Sequence, residues 1–187
     1  MKFSTTTLAI VASLLASTAT ARPTRRAPSA DNLVLINSES DYCMVFPKFP
    51  GTDIGASEYP GGTQTFCTNP TDPSLQGTIP EGFFRNVAYE ERTGAGRWVQ
   101  LTGCINPGLI DRLNPADAGG QYDSNGGDGG AGNPAGSQCE GFNSYVELIE
   151  PAGPRACIRC CMDPADCPLT MDTSGCHAVI PGNYFDC

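Results

Sequence analysis

The chain has 187 residues, with twenty Asp and Glu against eleven Lys and Arg and a formal charge of −9. That acidity excludes nucleic-acid binding, which needs a basic surface to meet phosphates. A single histidine, His177, excludes zinc sites built on two or three imidazoles. It also leaves a Ser-His-Asp hydrolase only that one residue, in a chain without the GxSxG turn.

In chain order, the opening MKFSTTTLAIVASLLASTATA places Lys2 before an apolar stretch, Leu8–Ala16, and ends on the small-x-small Ala19-Thr20-Ala21. Charge, apolar run and small residues in that order predict a secretory signal over residues 1–21. Arg25-Arg26 then predicts dibasic processing, so residues 22–26 read as a pro-segment and 27–187 as one secreted domain. The mature start is Ala27, or Arg22 if the pro-segment stays. Cut at Ala27, the chain keeps seven basic and twenty acidic side chains, a formal charge of −13. No later apolar stretch approaches the ~20 residues of a membrane-spanning helix, and the C-terminal NYFDC is no lipid-anchor signal. The expectation is release to the extracellular space, with no membrane and no nucleic-acid partner.

NLVLIN at 32–37 and Tyr42–Phe46 read as short strands. The clearest element is FFRNVAYEERTGAGRWVQLTGCI at 83–105, where β-formers flank Thr93-Gly94-Ala95-Gly96 as a hairpin. SYVELIEPAGPRACIRCC at 144–161 repeats the pattern around Pro151-Ala152-Gly153-Pro154. Between the two hairpins, residues 119–136 hold eight glycines in eighteen positions, the composition of a surface loop. A calcium reading of that loop rests on Asp123, Asn125 and Asp128, whose spacing matches neither an EF-hand nor a calcium β-roll. No segment has the length, period and caps of a long helix, and 22 Gly with 16 Pro break the chain into short elements. The predicted fold class is an all-β or β-rich small disulfide-stapled domain with long Gly/Pro-rich loops.

Ten cysteines remain after processing: Cys43, Cys67, Cys104, Cys139, Cys157, Cys160, Cys161, Cys167, Cys176 and Cys187. An even number in an oxidising compartment predicts a disulfide framework. The stretch Cys157-Ile-Arg-Cys160-Cys161 lacks the second CxxC of a zinc finger and the strand-to-helix setting of a redox pair, so neither a metal nor another cofactor is expected. Ten cysteines allow 945 pairings. Two restrictions narrow them. Three cysteines precede the Gly-rich run and seven follow it, so full pairing requires a bridge across the run. If 155–161 is extended, Cys160 and Cys161 point to opposite faces and take separate partners.

For catalysis the sequence leaves carboxylates, with Glu90, Glu91, Asp111, Asp117 and Asp123 as candidates for the paired acids of a glycosidase. Trp98, Tyr122 and Tyr145 are candidates for stacking on sugars or for the core. The turn 151–154 is a candidate bait loop for a protease inhibitor.

GGQYD (119–123), GSQCEGFNSYVELIEP (136–151), ACIRCC (156–161), DCP (166–168) and GCHAVIPGNY (175–184), in that order, resemble a group of small secreted cysteine-rich proteins of filamentous fungi. The resemblance implies secretion and a disulfide framework, and supplies no catalytic residue. The function expected is non-catalytic binding outside the cell, to a wall or host component, an extracellular partner or a glycan. A small hydrolase with paired carboxylates and a protease inhibitor are the alternatives.

Overall fold

The computed structural model describes Met1, residues 33–124 and residues 135–187. Within these residues ten strands form two five-stranded sheets. Sheet 1 is built on β1 (Leu33–Ser38), β2 (Asp41–Pro47) and β3 (Thr63–Cys67), paired antiparallel, with a two-residue parallel strand at each margin: β4 (Gly77–Thr78) beside β3 and β8 (Gln138–Cys139) beside β1. Sheet 2 is antiparallel throughout, in the order β5 (Phe84–Arg92), β6 (Trp98–Ile105), β10 (Arg155–Cys161), β9 (Ser144–Glu150) and β7 (Gly120–Asp123). Both hairpins expected from the sequence are present, β5–β6 and β9–β10. The first turns through Gly94 and Gly96 at φ of 90° and 70°, a backbone region that glycine enters without steric cost.

Alternation along β9 and β10 splits sheet 2 into two faces. Tyr145, Glu147 and Ile149 of β9, with Ala156, Ile158 and Cys160 of β10, turn toward sheet 1. There they meet Val34, Ile36, Met44, Phe46 and Phe66 in the principal core. Edge-to-face packing of Phe46 on Phe66 and Phe83, at 5.3 and 5.5 Å between centroids, fills its middle. The opposite residues, Val146, Leu148, Cys157 and Cys161, turn outward and are covered by the C-terminal segment, including the single-turn helix α1 (Cys176–Val179), Ile180 and Tyr184. The molecule thus has three layers, with sheet 2 in the middle.

All ten cysteines are bridged. Cys43–Cys67 links neighbouring strands inside sheet 1, and Cys139–Cys160 joins β8 to β10, tying sheet 1 to sheet 2. Cys161–Cys167, Cys157–Cys176 and Cys104–Cys187 all lie on the other side, pinning the C-terminal layer. Cys160 and Cys161 take different partners on opposite faces of β10, as an extended backbone dictates. Cys104–Cys187 spans the Gly-rich run, so the two halves form one covalently closed unit.

One composition-based expectation is corrected. Residues 119–136 are not loop throughout: Gly120–Asp123 form β7, with Gln121, Tyr122 and Asp123 buried. Strand pairing with Ile149–Val146 overrides the low intrinsic strand preference of glycine, because the run contributes Tyr122 to the core. Strand β3, which precedes Asn69-Pro70 in a Thr- and Gln-rich stretch, also escaped the pattern reading.

Candidate functional site

The five acids nominated from the sequence are dispersed. Glu90 lies on the exposed outer side of β5, within electrostatic reach of Arg159. Asp111 is exposed and pairs with Arg112 at 3.3 Å. Asp117 accepts the backbone N–H of Ile54 at 2.8 Å and that of Gly119 at 3.0 Å, holding two loops together. Asp123 is buried, and Gln121 Nε2 donates to it at 3.1 Å. Four surface hollows formed by the described residues bring no two of the five together, and of the five acids only Glu91 lines one of them. Of the calcium candidates, Asp123 is buried on the face of sheet 2 that the C-terminal layer covers, while Asn125 and Asp128 lie outside the described residues. Among the described residues no group of three metal-ligating side chains converges.

The aromatic candidates divide. Tyr122 and Tyr145 are fully buried, their hydroxyls hydrogen-bonded to Ser57 and Ser137. Burial pushes both phenols up. They are core, not a sugar platform. Trp98 is half-buried on the outer face of sheet 2, with the guanidinium of Arg159 over its ring at 4.8 Å and that of Arg92 at 5.9 Å. His177 is exposed and packs its ring 4.2 Å from that of Tyr184. In the turn 151–154 Pro151 is buried and Ala152 is exposed, its N–H bonded to the Asp117 carbonyl at 2.9 Å.

The largest of the four hollows, about 470 Å³, runs between β1 and β5. Its size falls within the range of ligand clefts. One wall is Leu35, Ile36 and Asn37 of β1. The other is Tyr89 and Glu91 of β5 with Val99 of β6, and the turn Glu140-Gly141-Phe142 closes one side. The local sequence accounts for each part. Strand alternation turns Tyr89 and Glu91 to the same side of β5, where the Tyr89 hydroxyl donates to Glu91 Oε2 at 3.0 Å. Gly141, at φ 72°, allows the chain to leave β8 sharply and carry Phe142 back over the groove. Arg97 is the cation of this lining. It donates to the Gly141 carbonyl at 2.8 Å and lies over the Phe142 ring at 4.4 Å, fixing the turn. Glu140 is exposed at the rim. Sequence reasoning missed Glu140, Arg97 and Phe142 because nothing local relates 140–142 to 89–91; the β1–β8 pairing brings them together.

A second acid was not nominated at all. Glu147, on the inward face of β9, is completely buried. Both of its oxygens lie 3.1 Å from the backbone nitrogen of Val45, which donates to them from sheet 1. Burial pushes this carboxyl well above the usual carboxylate range, and the single Val45 donor only partly offsets the effect. A raised carboxyl is what a general acid requires, yet Glu147 lines none of the four hollows. Its register explains its place. The β1–β2 pairing stops at Leu35↔Cys43, two residues short of Val45, and the Glu147 carboxyl meets the Val45 N–H. Alternation in SYVELIE does point residue 147 inward, but a Glu in a strand is read as solvent-facing unless the strand is known to be covered on both sides.

No protein-family model, no curated protein and no solved structure matches the chain. Among the described residues no helix is long and apolar enough to cross a membrane.

Proposed function

We propose that the protein is a secreted fungal binding protein, stapled by disulfides, that acts outside the cell without catalysis and takes its ligand in the β1–β5 groove. Five bridges in a β-rich domain support an extracellular setting, where disulfides form and persist. The observation that carries the binding reading is a separation. The carboxyl that burial has raised, Glu147, is sealed between the sheets, while the groove that a ligand can enter presents aromatic rings, a guanidinium and exposed carboxylates from β5 and the turns beside it. Those are the groups of recognition.

The hydrolase reading has one observation in its favour, the sharing of the groove by Glu91 and Glu140. A single experiment separates the two. The purified protein is incubated with insoluble wall polysaccharide and with casein, and both retention and release of reducing ends or peptides are followed. Binding without release above that of a Glu91→Gln, Glu140→Gln double variant supports the proposal. Release that the double variant abolishes assigns hydrolysis to the groove. Mass spectrometry of culture supernatant tests secretion: a chain beginning at Ala27 or Arg22 is expected, and an intact Met1 start in secreted material contradicts it.

A further inference from the structure

The β1 wall of the groove is a strand edge left open by its neighbour. β8 pairs with β1 only at Leu33 and Val34, and the Glu140 N–H closes that short ladder on the Val34 carbonyl at 2.9 Å. At Gly141 the chain turns away. In a strand, residues two apart present their peptide groups to the same side. Because Val34 faces β8, the Ile36 N–H and C=O face the line that β8 has vacated, and Leu35, Ile36 and Asn37 line the groove along it. An unpaired edge of this kind is a template for one more strand.

The opposite wall is protected differently. The outward N–H of Tyr89 on β5 is met by the Glu39 carboxylate at 3.4 Å, and Arg85, Glu90, Glu91 and Arg92 place charges along that strand. Charged side chains and a carboxylate cap are devices that block strand addition. The β1 edge carries no charge at Leu35, Ile36 or Asn37, and its one irregularity, between Ile36 and Ser38, lies past the Ile36 peptide group. The Glu91 carboxylate stands across from it and Glu140 at the end where β8 turns away, while Arg97 is turned to Gly141 and Phe142.

We infer that the groove binds an extended peptide segment bearing lysine or arginine, which joins sheet 1 as an added strand beside β1 at Ile36 and sets its cations against Glu91 and Glu140. Backbone hydrogen bonds to Ile36 supply the register, and Tyr89 and Phe142 receive the alternate side chains. The inference rests on the groove being the binding site and names the class of partner it takes.

The test uses the full secreted protein, ¹⁵N-labelled, titrated with a capped Lys-Val-Lys-Val-Lys-Val peptide. The same peptide with alternate backbone nitrogens methylated, a Glu-Val counterpart and a chitin or glucan oligomer serve as separate arms. Amide shifts confined to 36–38, 89–91 and 140–142 are expected, with slowed hydrogen exchange at the Ile36 N–H. Backbone methylation should abolish binding. The Glu91→Gln, Glu140→Gln variant should weaken it about fivefold, the combined effect of two exposed ion pairs, more at low salt than at high. Equal binding of the methylated peptide overturns strand addition. Shifts at the same amides with the oligosaccharide but not with the Lys-Val peptide overturn the peptide inference and leave the groove as the site. Binding of any arm that leaves the groove amides unmoved overturns both.

Discussion

The two faces of sheet 2 are covered in different ways. On the inner side, 22 buried residues among those described, from both sheets and the loops between their strands, form a continuous core in which two are cysteines. On the outer side the buried cluster has nine residues, and four of them are bridged cysteines. A regular sheet can cover another by apolar area alone, at roughly 25 cal/mol per Å². A short irregular segment cannot. The C-terminal layer offers one helical turn and a few apolar side chains, so covalent bonds and side-chain hydrogen bonds to its backbone hold it down. Gln100 Nε2 donates to the Pro181 carbonyl at 3.1 Å, and Thr102 Oγ1 donates to that of Asn183 at 2.9 Å. Gly182 lies so close over Thr102 that a Cβ would come within 2.8 Å of its side chain. The inner interface is a packed core; the outer one is a strap.

The largest effect should come from cutting the strap. Replacing Cys104 and Cys187 together by serine opens a bridge spanning 83 residues of sequence, and on the chain-entropy account costs about 4.5 kcal/mol of unfolding free energy. Replacing Cys161 and Cys167, six residues apart, should cost about 2 kcal/mol. Denaturant titration of both double variants measures the difference. Equal losses would mean that the strap is held by packing and that the contrast between the two faces fails.

The inner face is sharpened by its one buried acid. Glu147→Leu removes the acceptor of a buried backbone N–H and should cost about 1–3 kcal/mol at pH 4. Glu147→Gln keeps an acceptor there and should cost little at that pH. The two diverge from the native protein as pH rises. The folded state holds the Glu147 proton more tightly than the unfolded chain does, so that contribution is complete below about pH 4.5 and is lost as pH rises through the raised folded value. The native protein should therefore lose stability over that range, and Glu147→Gln should lose less. Denaturation midpoints from pH 4 to pH 8 check this, and parallel curves for the two proteins would place the Glu147 carboxyl in water.

The smallest effect belongs to the outer rim. Arg92 pairs with Asp166, bonds the Gly96 carbonyl and lies over Trp98, but its side chain is 46% exposed. Arg92→Ala should cost less than about 1 kcal/mol, with the loss shrinking further in high salt. A larger loss in thermal or denaturant unfolding would make the charged rim, and not the bridges, the fastening of the outer layer.

The parts of this architecture written in local pattern were legible in the sequence. Val87 and Tyr89 against Val99 and Leu101 announce β5–β6, and the adjacency of Cys160 and Cys161 in an extended segment requires bridges on two faces. Parity required a bond across the Gly-rich run, and Cys104–Cys187 is that bond. What the pattern does not contain is who lies opposite whom. Glu147 looks like any polar residue in an alternating strand until sheet 1 is placed over it. Glu91 and Glu140 become neighbours only through the parallel β1–β8 pairing, a non-local contact between two-residue partners that no period reveals. Gly120–Asp123 read as loop because composition counts glycines and not the buried Tyr122 among them.

The most direct test is to map the disulfides of the native protein after digestion without reductant, at a pH low enough to prevent exchange. The adjacent cysteines should be found facing opposite ways, Cys160 joined to Cys139 of sheet 1 and Cys161 joined to Cys167 of the C-terminal layer. A vicinal Cys160–Cys161 bond, or both cysteines joined to partners in the same layer, would contradict a middle sheet whose two faces are covered by different layers, sheet 1 on one and the C-terminal strap on the other.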